Sequence, residues 1–352
     1  MFFYIHIPFC RQKCQYCHFA LTPVFDDLKV RVYVDALKRE IEEFFIENPG
    51  NTIETIYFGG GTPSILTGEQ LAEILDIFHR QRGFEKISEI TLESNPEDIT
   101  SFYLNTLSKL GVNRLSLGIQ TLNGKSLQRV GRSDSNESIF RALECISTSP
   151  IENISIDLIA GLPHTSIGQI VSDLEQIFSR ISPKHVSIYM LEDENYPADW
   201  KSYLPSDKVI RDEYISGVEW LQKKGLYRYE LSNFVQPGFE SRHNQSYWNH
   251  SNYRGFGLGA ASFIEGERFT NSSSFFGYYR GEKQPESLNP ESLRIERIMF
   301  GMRTSGVHMS ELFDWQKVEK LQTEGFIEIR ENRVFPTSTG IFLIDHIIGE
   351  LI

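Results

Sequence analysis

Three cysteines crowded into eight residues, Cys10, Cys14 and Cys17 in the run Cys10-Arg11-Gln12-Lys13-Cys14-Gln15-Tyr16-Cys17, carry the first chemical signal. With four cysteines in 352 residues the chain has too few for a secreted disulfide framework, so the crowding points to a reducing compartment and a metal. Three soft thiolates in one tight loop suit an iron–sulfur cubane, which then keeps one iron without a protein ligand. A small molecule bearing an amine and a carboxylate can chelate that open iron beside a source of one electron. On the residues alone a zinc loop remains the alternative, with His18 as fourth ligand. Cys145 falls in a helical pattern and reads as a packed small hydrophobe rather than a further ligand. Arg11 and Lys13 either help to hold thiolates and an anionic cluster or simply solvate the loop.

A second constellation begins at Gly59-Gly60-Gly61-Thr62-Pro63-Ser64, directly after the apolar run ending in Tyr57-Phe58. Glycines there let backbone groups approach a ligand closely, and Pro63 removes a donor and stiffens the exit. A simple turn explains such a run equally well. Glu93-Ser94-Asn95-Pro96, Leu117-Gly118-Ile119-Gln120-Thr121, Gly131-Arg132 and Ile156-Asp157-Leu158-Ile159 follow in order. Taken singly, Asp157 could be a helix cap, Gln120 a satisfied core amide and Arg132 a surface ion pair. His243-Asn244-Gln245-Ser246-Tyr247-Trp248 sets an imidazole beside two large rings, ahead of the Gly-rich 255–260. An imidazole can ligate haem iron while flat rings pack on a porphyrin. On chemistry alone, an ordinary aromatic loop with a satisfied histidine is the stronger reading.

These residues need a scaffold, and the pattern supplies one. Short β-branched or aromatic runs at 2–7, 55–58, 89–93, 114–119, 154–159 and 186–191 alternate with amphipathic stretches. Val30, Val34, Leu37 and Ile41, and likewise Leu71, Ile74, Leu75 and Phe78, sit at helical spacing. Six such units predict an α/β fold built as a partial (β/α)6 TIM-like barrel. Met1 to Phe9 is apolar, but Pro8 and Cys10 follow without a small-residue cleavage site, so a buried first strand is expected rather than a signal peptide. Gly59 to Thr62, Glu93, Gln120, Asp157 and Glu192 all fall where a strand ends, so they are expected to line one mouth.

Beyond about residue 200 the rhythm changes to an amphipathic helix near 207–224 and an aromatic, Gly-rich stretch over 227–279. From 291 onward a helix, a short helix, a helix, two short strands flanking Glu331-Asn332 and a last apolar helix predict a winged-helix-like unit. Three parts are therefore expected: 1–200 as the barrel, 201–285 as an extension carrying the histidine motif, and 286–352 as the C-terminal helical domain. Acidic side chains outnumber basic ones both in that last unit and in the whole chain, whose formal net charge is −12. Such a charge repels a phosphate backbone, which argues against DNA or RNA as partner. No run approaches the roughly 18 apolar residues of a membrane span. A soluble, cytoplasmic protein is expected, with peripheral membrane contact left open.

The cysteine spacing resembles that of the radical SAM superfamily, so the barrel is expected to be of the radical SAM type. The resemblance implies a 4Fe–4S cluster on Cys10, Cys14 and Cys17. It also implies S-adenosylmethionine (SAM), reductively cleaved to methionine and a 5′-deoxyadenosyl radical. The order and spacing of the later motifs resemble the coproporphyrinogen III dehydrogenase-like branch. Carried over, that resemblance implies SAM contacts from Tyr4, Tyr16, Gly60, Gly61, Thr62, Glu93, Gln120, Arg132 and Asp157, with Arg132 pairing the SAM carboxylate. The His243 stretch resembles the His-Asn-x-x-Tyr-Trp signature of the HemW haem chaperones within that branch, which makes His243 the implied haem ligand. Tyr247 and His250 are near enough in sequence to be considered too. Genuine dehydrogenases usually carry a further Cys where this chain has Phe19, and a long extension before the strand that here starts at Phe2. His18 departs from the residue common at its position. The resemblance thus implies a haem chaperone handing haem to apoproteins and drawing on an electron donor. The alternative is an enzyme that oxidatively decarboxylates the propionates of coproporphyrinogen III.

Overall fold

The computed structural model describes residues 1–18, 21–23, 26–81, 84–191 and 197–352. Phe19 and Glu192, both singled out above, lie outside the described residues. The six expected strands are present: β1 (Phe2–Ile7), then, after the short pair β2 (Phe9–Cys10) and β3 (Thr22–Pro23), β4 (Thr55–Gly60), β5 (Glu89–Ser94), β6 (Arg114–Gln120), β7 (Asn153–Ala160) and β8 (His185–Met190). They pair in parallel in that order, as a (β/α)6 barrel requires. Between them run α1 (Asp27–Glu47), α2 (Gly68–His79), α3 (Ser101–Lys109), α4 (Gly124–Arg129), α5 (Asn136–Ser147) and α6 (Gln169–Phe178).

Local chemistry explains the elements. The side chain of Asp26 caps α1 by accepting from the Leu28 amide, and Thr67 and Gln70 form a reciprocal capping box at α2. Val30, Val34, Leu37 and Ile41 of α1, and Leu71, Ile74, Leu75 and Phe78 of α2, all face inward, packed with Phe3, Ile5, Ile56 and Phe58 from the outer face of the sheet. The core therefore lies between sheet and helices. The alternate residues of each strand point into the barrel and are mostly polar: Tyr4 and His6, Thr55 and Tyr57, Glu89 and Glu93, Arg114 and Ser116, Ser155 and Asp157, His185 and Ser187.

After α7 (Asp207–Lys223) the aromatic stretch contributes strands that extend both edges of this sheet. On one side β9 (Tyr227–Arg228) and β10 (Asn233–Val235) add to β8. On the other, after α8 (Arg242–Trp248), β11 (Tyr253–Phe256) pairs parallel with β1, followed by β12 (Ala261–Ile264), β13 (Glu267–Asn271), α9 (Phe275–Tyr279) and β14 (Lys283–Glu286). A part-buried ion pair between Arg254 and Glu40, with Tyr278 and Asn271 also donating to Glu40, ties α1 to this added edge.

A second core follows, built from Ile298, Met302, Val318, Leu321, Val334, Ile347 and others on α10 (Pro290–Arg303), β15 (Val307–His308), α11 (Trp315–Thr323), β16 (Ile327–Arg330), β17 (Arg333–Pro336) and α12 (Ile344–Leu351). The wing is a hairpin turning at Glu331 and Asn332, both at positive φ as a two-residue primed turn requires. Among the described residues no helix is long and apolar enough to cross a membrane.

Candidate functional site

The cysteine loop leaves the end of β1 and is held from three directions. Arg11 pairs with Asp98 at 2.8 Å and lies 3.6 Å from Glu97. The Gln15 amide donates to the Val130 carbonyl, and the Trp200 indole, fully buried, donates to the Gln15 side chain at 3.1 Å. Arg11 is therefore spent on anchoring the loop. Cys10 is buried, Cys14 and Cys17 are half-buried, and none forms a disulfide. Burial pushes the Cys14 thiol up, opposed by the nearby Arg132 guanidinium and a hydrogen bond with Tyr16.

Among the described residues no three His, Cys, Asp or Glu side chains gather closely around one point. Thiolates of a cubane bind separate irons and stand further apart. The donor set fits such a cluster: three cysteines in one loop, none in a disulfide, with Thr62 donating to Cys10 Sγ at 3.2 Å and Tyr16 hydrogen-bonded to Cys14.

Beside the loop, the β4 glycines bring two strand ends into close contact. A Cβ on Gly60, whose φ is +115°, would stand 2.7 Å from the His6 ring, and one on Gly61 would stand 2.4 Å from the Phe9 carbonyl. These glycines thus seat the tip of β4 against β1 and the cysteine loop. The Gly60 amide donates to Glu93, which also accepts from the Tyr57 hydroxyl at 2.7 Å. Burial raises the Glu93 carboxyl to about 7, with the Asp157 charge adding to the rise and the Tyr57 and Gly60 bonds opposing it. Asp157 accepts from Ser187 at 2.7 Å and Ser116 at 2.9 Å; burial pushes it up as well, against those bonds and Arg114. Tyr4 reaches His6 Nδ1 at 3.1 Å. Gln120, at positive φ beside an irregularity in the β6–β7 register, lays its amide over Gly118.

Arg132 is placed differently from a free carboxylate clamp. Its side chain is 5% exposed and bridged to Asp134 at 2.6 Å, while it also donates to the Gly118 carbonyl, Asn95 and Tyr16. The mouth therefore gathers Tyr4, Gly60, Gly61 and Glu93 in one group, and Tyr16, Thr62 and Arg132 with Cys10 and Cys14 in another. Asp157 and Gln120 lie along the neighbouring strand ends.

His243 sits inside the barrel. It is fully buried, its Nδ1 2.7 Å from Thr55 Oγ1 and its Nε2 2.8 Å from the Tyr247 hydroxyl. Burial, with Arg114 nearby, depresses its pKa to about 3, so the ring is neutral. Glu89 holds the start of α8 by accepting from the Arg242 and His243 amides at 2.9 and 3.2 Å. His250 lies elsewhere, against Phe263 and Phe300, with Nδ1 3.8 Å from Glu296 and Nε2 buried without a hydrogen-bond partner.

Several of these residues carry a signal that periodicity alone could have supplied. His6, Glu89 and Arg114 are polar at every-second-residue positions inside otherwise apolar strands, the signature of an inward-facing site. Trp200 carries no such mark, because its contact with Gln15 spans 185 residues.

Comparison with known proteins adds lineage to this geometry. The profile of the Radical SAM superfamily matches residues 4–177. The "Heme chaperone HemW" of Lactococcus lactis is 34% identical over 340 residues, covering 93% of this chain and 88% of the relative. The protein of the same name from Synechocystis is 36% identical over 90% of this chain and 81% of its own length. This chain belongs to the HemW heme chaperone family. The solved structure of coproporphyrinogen III oxidase (HemN) from Escherichia coli, described as a radical SAM enzyme, superposes with a TM-score of 0.85 over 99% of this chain and 89% of that one, at 21% identity. At that identity the HemN structure shares with this HemW family member its fold alone.

Proposed function

We propose that the protein is a haem chaperone: it binds haem and hands it to acceptor apoproteins in the cytoplasm, under the control of a 4Fe–4S cluster and SAM. The observation that carries this reading is the kinship with proteins named heme chaperones along nine-tenths of the chain. In this reading Cys10, Cys14 and Cys17 hold the cluster. Tyr4, Tyr16, Gly60, Gly61, Thr62, Glu93, Gln120, Arg132 and Asp157 form the SAM pocket. When bound, the two cofactors supply one-electron chemistry at the mouth, fed by an electron donor. The chain's own part is to shelter that chemistry. Tyr57 and the Gly60 amide orient the Glu93 carboxyl, which offers an acceptor to an ammonium or ribose hydroxyl.

His243 is the proposed haem ligand, and its geometry sets a condition. A neutral imidazole is the ligating form, but both nitrogens are engaged in the barrel. Iron takes one imidazole nitrogen, so ligation by His243 requires that one of the two bonds, to Thr55 or to Tyr247, be given up while the other can be kept. Anaerobic incubation with SAM, a reductant and coproporphyrinogen III separates carrier from dehydrogenase. The chaperone binds haem and yields no protoporphyrinogen; sustained protoporphyrinogen formation overturns the proposal.

A further inference from the structure

The polar contacts around the cysteine loop form a directed chain. Arg132 is buried and fixed by Asp134 and by the Gly118 carbonyl, at 2.6 and 2.7 Å. Its Nη2, whose two hydrogens serve mainly those acceptors, also lies 3.3 Å from Asn95 Oδ1, a longer shared contact that turns the amide oxygen toward the guanidinium. Asn95 Nδ2 then donates to Thr62 Oγ1 at 3.3 Å. With its oxygen so occupied, the single hydroxyl hydrogen of Thr62 points to Cys10 Sγ at 3.2 Å. Thr62 is 2% exposed, so no water competes for that hydrogen. A second arm leaves Arg132 Nη1 for the Tyr16 hydroxyl at 3.4 Å, and Tyr16 is hydrogen-bonded to Cys14.

We propose that Arg132, Asn95 and Thr62 form a hydrogen-bonded relay that stabilises negative charge on the Cys10 sulfur and thereby sets the reduction potential of the cluster. The inference rests on the assignment of Cys10, Cys14 and Cys17 as cluster ligands. One electron added by a low-potential donor, such as dithionite, increases negative charge on the cluster and on the sulfurs that hold it. A donor hydrogen bond to a sulfur favours that reduced form and raises the potential. Because Asp134 neutralises Arg132, the effect travels through the linked bonds rather than as the field of a bare charge, and each bond polarises the next. Thr62 and Asn95 are positioning residues: they act on the cluster through Cys10. Arg132 on this account orients the relay.

The test uses the full chain reconstituted with iron and sulfide, without SAM, titrated with dithionite and followed by electron paramagnetic resonance. Thr62→Val, which keeps shape and removes the hydroxyl, moves the midpoint to more negative potential by about a tenfold change in the reduction equilibrium, or ~59 mV for one electron. Thr62→Ser retains the wild-type value. Asn95→Leu moves it the same way by less, and the Thr62→Val/Asn95→Leu double variant goes no further than Thr62→Val, as coupling through one hydroxyl requires. An unshifted Thr62→Val potential, or an Asn95→Leu effect that adds in full to it, overturns the relay. A wild-type protein that takes up no cluster overturns the ligand assignment itself.

Discussion

The imidazole of His243 stacks on the ring of Tyr57, centroids 4.9 Å apart and 27° between planes, and Tyr57 in turn donates to Glu93. The histidine of the aromatic motif thus belongs to the same interior as the mouth. His243→Ala empties a fully buried site and strands the Thr55 and Tyr247 hydroxyls, costing roughly 2–4 kcal/mol of stability in a denaturant titration. Haem titration of the same variant, kept below its unfolding midpoint, should show affinity reduced by about tenfold or more, ~1.4 kcal/mol. Unchanged affinity removes His243 from the haem site. His250→Ala is the comparison, and weakened binding there alone would move the ligand to the unpartnered Nε2 beside Phe300.

Glu93 offers a pH-dependent signature. Its carboxyl, pushed to about 7 from an ordinary 4.5, keeps a proton in the folded state that the unfolded chain releases. Between roughly pH 4.5 and 7 the folded state binds more protons, so this group makes stability fall as pH rises through that window. Binding of a hydrogen-bond donor at Glu93, an amine or a ribose hydroxyl, has the opposite trend, tightening as the carboxylate forms. SAM affinity measured calorimetrically should rise from pH 6 to pH 8, and Glu93→Gln should flatten the rise. A Gln variant with the same pH profile excludes Glu93 as the titrating contact.

Cys14 is half-buried in a loop outside both cores, so its loss leaves the fold in place. Cys14→Ala, purified anaerobically, should retain its circular dichroism but lose the brown colour and most of its iron. A colourless wild-type protein carrying stoichiometric zinc would instead support the zinc loop.

Glu89 lies where α8 begins, accepting from two amides and from the Thr91 hydroxyl. Glu89→Gln replaces an all-acceptor carboxylate with a group that carries its own donors, at a cost of about 1.5–3 kcal/mol. If haem capture by His243 requires α8 to leave the barrel, stopped-flow mixing should show faster haem association for this variant. An unchanged or slower rate argues that α8 stays seated.

Much of the scaffold could be read from periodicity. The six parallel strands and the inward faces of α1 and α2 were visible because each is a local pattern of apolar residues. The Glu331-Asn332 turn was visible because short strands flank it. The 227–279 stretch hid its strands, since β10 and β11 are three and four residues long and exist only because β8 and β1 offer open edges. Within the mouth, residue types and order pointed to Glu93, Thr62 and Arg132, but not to their partners. That Arg132 is committed to Asp134, and that Thr62 faces a sulfur, are facts of side-chain direction that spacing does not encode. The burial of His243 against Thr55, 188 residues earlier, is of the same kind.

The place of β1 between β4 and β11 has a consequence for synthesis. The strand leading to the cysteine loop gains its second neighbour only when residues 253–256 have been made, so one of its edges stays open until then. A nascent or truncated chain ending before Tyr253 leaves that edge unpaired, an aggregation hazard.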